Sequence, residues 1–299
     1  MAEDAPEGQG SFLLWFDPEV WSPLDRLRHL TGPPFPERGP YVDGLFMARA
    51  HFAKYEVLSG LANRLAPELS KEDEEMKRRG FTSAIRSREF AALTETLVCE
   101  LYSVLGGLRL LLCGAFPRAR LPGKTSLLFK NAANGKVGSY LPGGIRALLA
   151  AGYDSWFPLL RSFRSTVVHR DAGSVHLLAE TGCIRYVHSG FMEGPRPFVS
   201  EDIVSWINER HSLVRTLVDQ VADFLCSALL PAERRVPCGV HQARFYERIV
   251  VVGSNLTRQS GRCASREWFD LEPARQCPLQ TSCEAYRVTA PQDEASPGS

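Results

Sequence analysis

The chain has 299 residues, of which 44% are hydrophobic and 23% charged, with a formal net charge of +1. These are values of an ordinary globular protein, and the length supports one large core or two modest ones. A charge so close to zero excludes a global basic field, so any nucleic-acid binding has to come from a local patch.

Residues 1–10 are small, polar and acidic and are expected to be disordered. Met1-Ala-Glu-Asp is acidic, and Phe12-Leu-Leu-Trp-Phe16 is too short for a signal core. No apolar run reaches about 18 residues, and Arg109 interrupts the most apolar stretch, so no membrane span is expected. Eight cysteines without a signal peptide point to a cytoplasmic protein with reduced thiols, and the sequon Asn255-Leu-Thr257 then reads as accidental.

Residues 11–41 place Trp15, Trp21 and Phe35 among prolines, including Pro33-Pro34-Phe35-Pro36, and read as an irregular arm packed by its aromatics. Leu45, Phe46, Phe52, Leu58, Leu61 and Leu65 predict a helix from Asp43 to Leu65, ended by Pro67. Residues 71–79 are a mixed-charge run expected on a linker or a helix surface. From Thr82 to Cys113, Ile85, Leu93, Leu97, Leu101, Val104, Leu108 and Leu111 follow helical spacing. Gly106-Gly107 interrupts this run at about 1 kcal/mol per glycine relative to alanine, which implies a kink, a close helix crossing or a break.

Residues 117–144 are rich in Pro and Gly and predict a loop with a short helix near Ser126–Asn131. Pro122-Gly-Lys-Thr125 is not a phosphate loop, because Arg118 stands where that pattern needs a Gly. Ile145–Ala151 predicts a short helix. Val175–Val187 predicts a β-hairpin turning at Glu180-Thr-Gly182, carrying His176 and His188. Ser200, with Glu201 and Asp202, is expected to start a helix whose stripe of Ile203, Ile207, Val214, Leu217, Val221 and Leu225 runs to about Leu230. Phe245–Val252 predicts a strand. Around it Cys238, His241, Cys263, Cys277 and Cys283 are the zinc candidates: Cys-x-x-His suits a ligand pair, whereas the other spacings match no familiar paired knuckle.

Chemistry concentrates in Trp156–Asp171. Asp154 or Ser155 is the expected N-cap and Pro158 suits the first turn. Trp156, Leu160, Phe163 and Val167 make one apolar face, leaving Arg161, Arg164, Ser165 and His169 on the flank and far side, with Asp171-Ala-Gly173 as the stop. Arg164 and His169 lie about 140° apart on an ideal helix, so they converge only if the helix ends near His169 or a second subunit completes the site. A basic helix C-terminus needs no function to be favourable. In combination, however, a histidine can move a proton to or from a ribose hydroxyl while an arginine grips the phosphate.

Arg164-Ser165-Thr166-Val167-Val168-His169 resembles the Arg-x(4–6)-His signature of the HEPN superfamily, and the approach through Leu141-Pro142, Ile145-Arg146-Ala147-Leu148-Leu149 and Trp156 is similar to that of bacterial members. The resemblance implies an all-α, often dimeric domain. It also implies a metal-independent endoribonuclease of the toxin, defence or RNA-processing type, requiring no cofactor and acting on RNA, with an antitoxin as partner. Arg164 and His169 would be catalytic, and Arg161, Ser165 and Arg170 would contact substrate. Ser165 stands where active members often carry Asn, Asp or His, which motivates the alternative of an inactive helical binding or scaffold module. The expected fold is mainly α: a multi-helix bundle with a small β-hairpin and a short, irregular C-terminal α/β or zinc-like extension. Its expected division is an arm over 1–41, a HEPN-like helical domain over 42–230, a Cys-containing extension over 231–289 and a disordered tail over 290–299.

Overall fold

The structure is a computed structural model that describes residues 13–14, 20–30, 39–169, 171–230, 232–241, 244–252, 256–257, 259–271, 277 and 279–288. The expectations for 1–10, Pro33–Pro36, Arg170, Asn255 and 290–299 fall outside these, as does the side chain of His241. Along the chain come β1 (Leu13–Leu14), α1 (Pro23–Leu30), α2 (Pro40–Leu65), α3 (Leu69–Arg79), α4 (Ile85–Ala115), α5 (Thr125–Ala133), α6 (Gly143–Ser155) and α7 (Phe157–His169). They are followed by β2 (Ser174–Leu177), β3 (Ile184–Glu193), β4 (Arg196–Ser200), α8 (Ile203–Leu229), β5 (Glu233–His241), β6 (Arg244–Val251), β7 (Arg262–Cys263), α9 (Arg266–Leu271) and α10 (Glu284–Arg287). The fold is mainly α with two small antiparallel sheets, as expected. The chain divides into Glu37–Val221 and a second unit that combines Met1–Pro36 with Ala222–Ser299.

In the helical unit, α4 is the spine, burying Phe90, Leu97, Val98, Leu101, Val104, Leu105, Leu108, Leu111 and Leu112. It is the one described helix long and apolar enough to span a bilayer, but half of its most apolar window is buried inside the fold. It runs antiparallel to α2, with Tyr41 beside Gly114, Gly44 beside Leu111 and His51 beside Glu100. The glycines explain how close the helices lie. A Cβ on Gly44 would stand 2.2 Å from the Leu111 nitrogen, and one on Gly107 would stand 2.6 Å from the Ala48 nitrogen. Gly106-Gly107 therefore neither breaks nor ends α4, and Gly107 serves the crossing.

Phe129 of α5 stacks on Phe157 of α7 with centroids 4.0 Å apart. Helix α7 buries Phe157, Leu160 and Phe163, and the last contacts Tyr186, Phe191, Phe198 and Trp206. Asp154 and Ser155 do not cap α7. They close α6, where the Ser155 hydroxyl donates to the Ala151 carbonyl at 2.6 Å, and the chain turns at Trp156. The predicted hairpin forms, with β2 paired to β3 and Gly182 at φ 70° in its turn. A third strand, β4, joins it after Gly194 at φ 64°. Ser200 belongs to this strand, and the cap of α8 is Asp202, whose carboxylate accepts from the Ser205 amide at 3.2 Å and the Ser205 hydroxyl at 2.5 Å.

In the second unit the strand order is β1-β5-β6-β7. Residues 23–30, expected to be irregular, form α1: Pro23 occupies the first turn, the Ser22 hydroxyl donates to Asp25 at 2.7 Å, and Leu24, Leu27 and Leu30 are buried. Trp21 is buried with the Arg248 guanidinium 5.0 Å from its ring centroid, and Arg248 also donates to the Thr257 and Ser260 carbonyls. Cys226 of α8 is buried, and burial pushes its thiol up to about 11.

Candidate functional site

The helical geometry of α7 separates its polar residues into two groups. Arg161, Ser165 and His169 recur every fourth residue and are all exposed, forming a stripe that spans about 12 Å along the axis. Arg164 lies off this stripe and is half-buried, with its guanidinium 5.4 Å from the centroid of Tyr102 on α4. The helix stays regular until His169, its last residue, so Arg164 and His169 remain separated by the angle that helical geometry dictates. One chain therefore brings His169 together with Ser165 and Arg161, and it brings Arg164 together with α4.

The residues that sequence reasoning missed lie on α4. Glu95, Cys99 and Tyr102 follow i, i+4, i+7 spacing and are all half-buried, so they share one face. Glu95 accepts from the Gly173 amide at 2.6 Å and from the Tyr186 hydroxyl at 2.8 Å. It thereby fixes the loop that follows His169 to the spine helix and to the sheet. Gly173 is required by closeness, not by a left-handed turn: a Cβ there would stand 2.3 Å from the Tyr186 oxygen. Burial, then the charge of Glu95 and its hydrogen bond, push the Tyr186 phenol far up, so this group is a neutral donor at all working pH values. Burial raises the Cys99 thiol, Arg164 pulls it back down, and Glu95 and Glu100 push it up. Glu100 in turn is paired with Nδ1 of His51 on α2.

This arrangement supplies an exposed imidazole at the end of a pinned helix, and a guanidinium held against an aromatic ring and acting on the Cys99 thiol. Of the two histidines on the hairpin, His176 is exposed, whereas His188 is buried with Nδ1 accepting from the Gly190 amide at 3.1 Å. His188 is a core residue and does not extend a surface. His211, on α8, is half-buried. It stacks on Tyr55 at 4.4 Å between α2 and α8, and burial followed by the Arg215 charge lowers its pKa. Among the described residues no three His, Cys, Asp or Glu side chains stand at metal-binding range as placed. Comparison with known protein families, with curated proteins and with solved structures gives no match.

Proposed function

We infer that the helical unit is a HEPN-like endoribonuclease that works without metal, as a homodimer in the cytoplasm, with an RNA substrate and an antitoxin as regulatory partner. The observation that carries this reading is His169, exposed as the last residue of α7, with the loop behind it tied to Glu95. Since Arg164 and His169 diverge on one helix, the working pair comprises Arg164 of one copy and His169 of the other. His169 takes the proton of a ribose 2′-hydroxyl, and the 2′-oxygen attacks the adjacent phosphorus. The bond from phosphorus to the 5′-oxygen breaks, and that oxygen takes a proton from the opposing histidine or from water. Arg164 holds the phosphate and offsets the charge that develops on it. Arg161, two turns before His169 on the same stripe, draws the RNA backbone, with Ser165 between them, and Arg170, next in the sequence, adds charge.

The products are a 2′,3′-cyclic phosphate and a 5′-hydroxyl. The test incubates the full chain with mixed single-stranded and structured RNA in excess EDTA, beside His169→Ala, and analyses the ends. Cleavage by the parent alone, with cyclic phosphate ends, supports the reading, and equal cleavage by both variants contradicts it. A second reading, a helical binding or scaffold module, is favoured by the contact between Arg164 and Tyr102 and by Ser165. It expects RNA or protein binding with no cleavage by either variant.

A further inference from the structure

The second unit gathers four cysteines that the nuclease reading does not use. Cys238 is the extra residue of a β-bulge: Pro237 pairs with Glu247 and Gly239 with Tyr246, leaving Cys238 without a rung of its own. Bulges of this kind re-aim a side chain and recur at functional sites. Cys263 lies on the other side of β6, paired with Arg248, and the ladder continues as the Ala264 amide donates to the Glu247 carbonyl at 2.9 Å. Cys238 and Cys263 therefore flank the same short stretch of β6, residues 246–248.

The remaining two arrive on the C-terminal segment. The Gln280 amide donates to the Cys277 carbonyl at 3.0 Å, the Cys283 amide to the Leu279 carbonyl at 2.8 Å, and the Tyr286 amide to the Cys283 carbonyl at 3.2 Å, so 279–283 is a tight turn leading into α10. Aromatic packing brings this turn to the bulge. Phe269 of α9 stacks on Tyr246 at 5.0 Å and meets Tyr286 of α10 at 6.3 Å. Helix α10 packs against β7, and the Arg266 guanidinium donates to the Tyr286 carbonyl at 3.1 Å, so the Cys283 end of the turn lies by the strand that carries Cys263; the charges of Cys263, Cys277 and Cys283 also act on Cys238.

Two of the sulfurs are also met by backbone amides. The Ser265 and Arg266 amides, two and three residues on, donate to Cys263, and the Leu279 amide, two residues on, donates to Cys277. Amide donors aimed at a sulfur stabilise the thiolate, which is the form that binds metal. Burial is the largest effect on Cys238, Cys263 and Cys277 and favours the neutral thiol, taking Cys238 up to about 12. All four are free thiols of intermediate burial, and as placed they do not form a closed metal-binding group.

We propose that Cys238, Cys263, Cys277 and Cys283 close around one Zn²⁺ as a structural tetrathiolate site that ties β5, β7 and α10 together. Sulfur ligands suit zinc, and four protein ligands leave no open position, which makes the site structural and not catalytic. His241, the other zinc candidate from the sequence, is not needed to complete the set.

The test uses the full chain, purified reduced, with zinc measured by plasma mass spectrometry after saturation and gel filtration. Cobalt(II) replacement is followed by its thiolate charge-transfer absorption. The expected result is about one zinc per chain, with a tetrahedral cobalt spectrum that added zinc abolishes. Cys277→Ser, just before the turn and away from the sheet, should weaken zinc affinity at least about tenfold and reduce the charge-transfer intensity. Cys183→Ser, in the β2–β3 turn of the helical unit, should do neither. Far-ultraviolet circular dichroism identifies a variant that has lost its fold, and for Cys263→Ser, at a strand pairing, this control is essential. A parent chain that takes up less than about half a zinc at saturation overturns the proposal, as does a folded Cys277→Ser/Cys283→Ser protein that binds zinc and gives the parental cobalt spectrum.

Discussion

Glu95 makes the sharpest structural prediction. Its carboxylate is half-buried on α4 and receives two donors, the Gly173 amide at 2.6 Å and the Tyr186 hydroxyl at 2.8 Å. Hydrogen bonds to a charged group contribute about 1.5–3 kcal/mol each, and truncating the acceptor leaves a buried phenol without a partner. Partial exposure of Glu95 reduces the total, so Glu95→Ala should destabilise the helical unit by about 2–4 kcal/mol. Tyr186→Phe, which removes one donor and keeps the ring against Phe163, should cost about 1–2 kcal/mol. The two changes share an interaction, so a double-mutant cycle by urea unfolding should show a coupling of about 1 kcal/mol or more, and the Gly173 amide should exchange faster with deuterium in Glu95→Ala. Additivity within about 0.3 kcal/mol, or a Glu95→Ala cost under about 0.5 kcal/mol, would refute the role of Glu95 in holding the loop behind His169.

Adjacent glycines on α4 should behave oppositely. Gly107→Ala drives a methyl into the α2 backbone and should cost about 1–3 kcal/mol in unfolding free energy, whereas at Gly106 the nearest atom is the flexible Met47 Cε at 3.2 Å, so Gly106→Ala should be neutral or stabilising by up to about 1 kcal/mol. The pH dependence of the helical unit should carry the signature of His211. Its folded pKa is lowered below the ordinary histidine value, so the unfolded chain takes up the proton first. Stability is then full above about pH 6.5 and falls as pH drops below it, with a slope under the one-proton ceiling of about 1.4 kcal/mol per pH unit, because the group is only half-buried. His211→Phe, which keeps the stack on Tyr55, should flatten that slope in urea titrations at pH 5 to 7.5; an unchanged slope assigns it elsewhere.

The elements legible in the sequence were those with strong periodicity. The stripes of α2, α4, α7 and α8 gave helices because each buries one continuous face, and the hairpin showed itself by its turn. What was misread follows physical causes. The Pro-rich surroundings of 23–30 obscured Ser22-Pro23-Leu24-Asp25, a capping arrangement that was present to be read. Pro237 and Gly239 hid β5, because a bulge disrupts the alternation that marks a strand. The α7 polar face was visible, but its division into an exposed stripe and a half-buried Arg164 was not. Nor were the partners of Arg164, since nothing local in the sequence says that Tyr102 and Cys99, some 60 residues earlier, face α7. Glu95 was equally hidden, as both its donors lie more than 70 residues away in the chain.

The central claim is that Arg164 of one copy works with His169 of another on RNA. The direct measurement co-refolds Arg164→Ala protein with an equal amount of His169→Ala protein and assays RNA cleavage in EDTA. The account predicts that each variant alone is inactive. The mixture should regain about a quarter of the parental rate, since half the dimers are mixed and each of those keeps one intact site. Variants that each cleave like the parent would contradict it and return α7 to a structural helix, and a mixture that stays inactive beside an active parent would refute the pairing between copies.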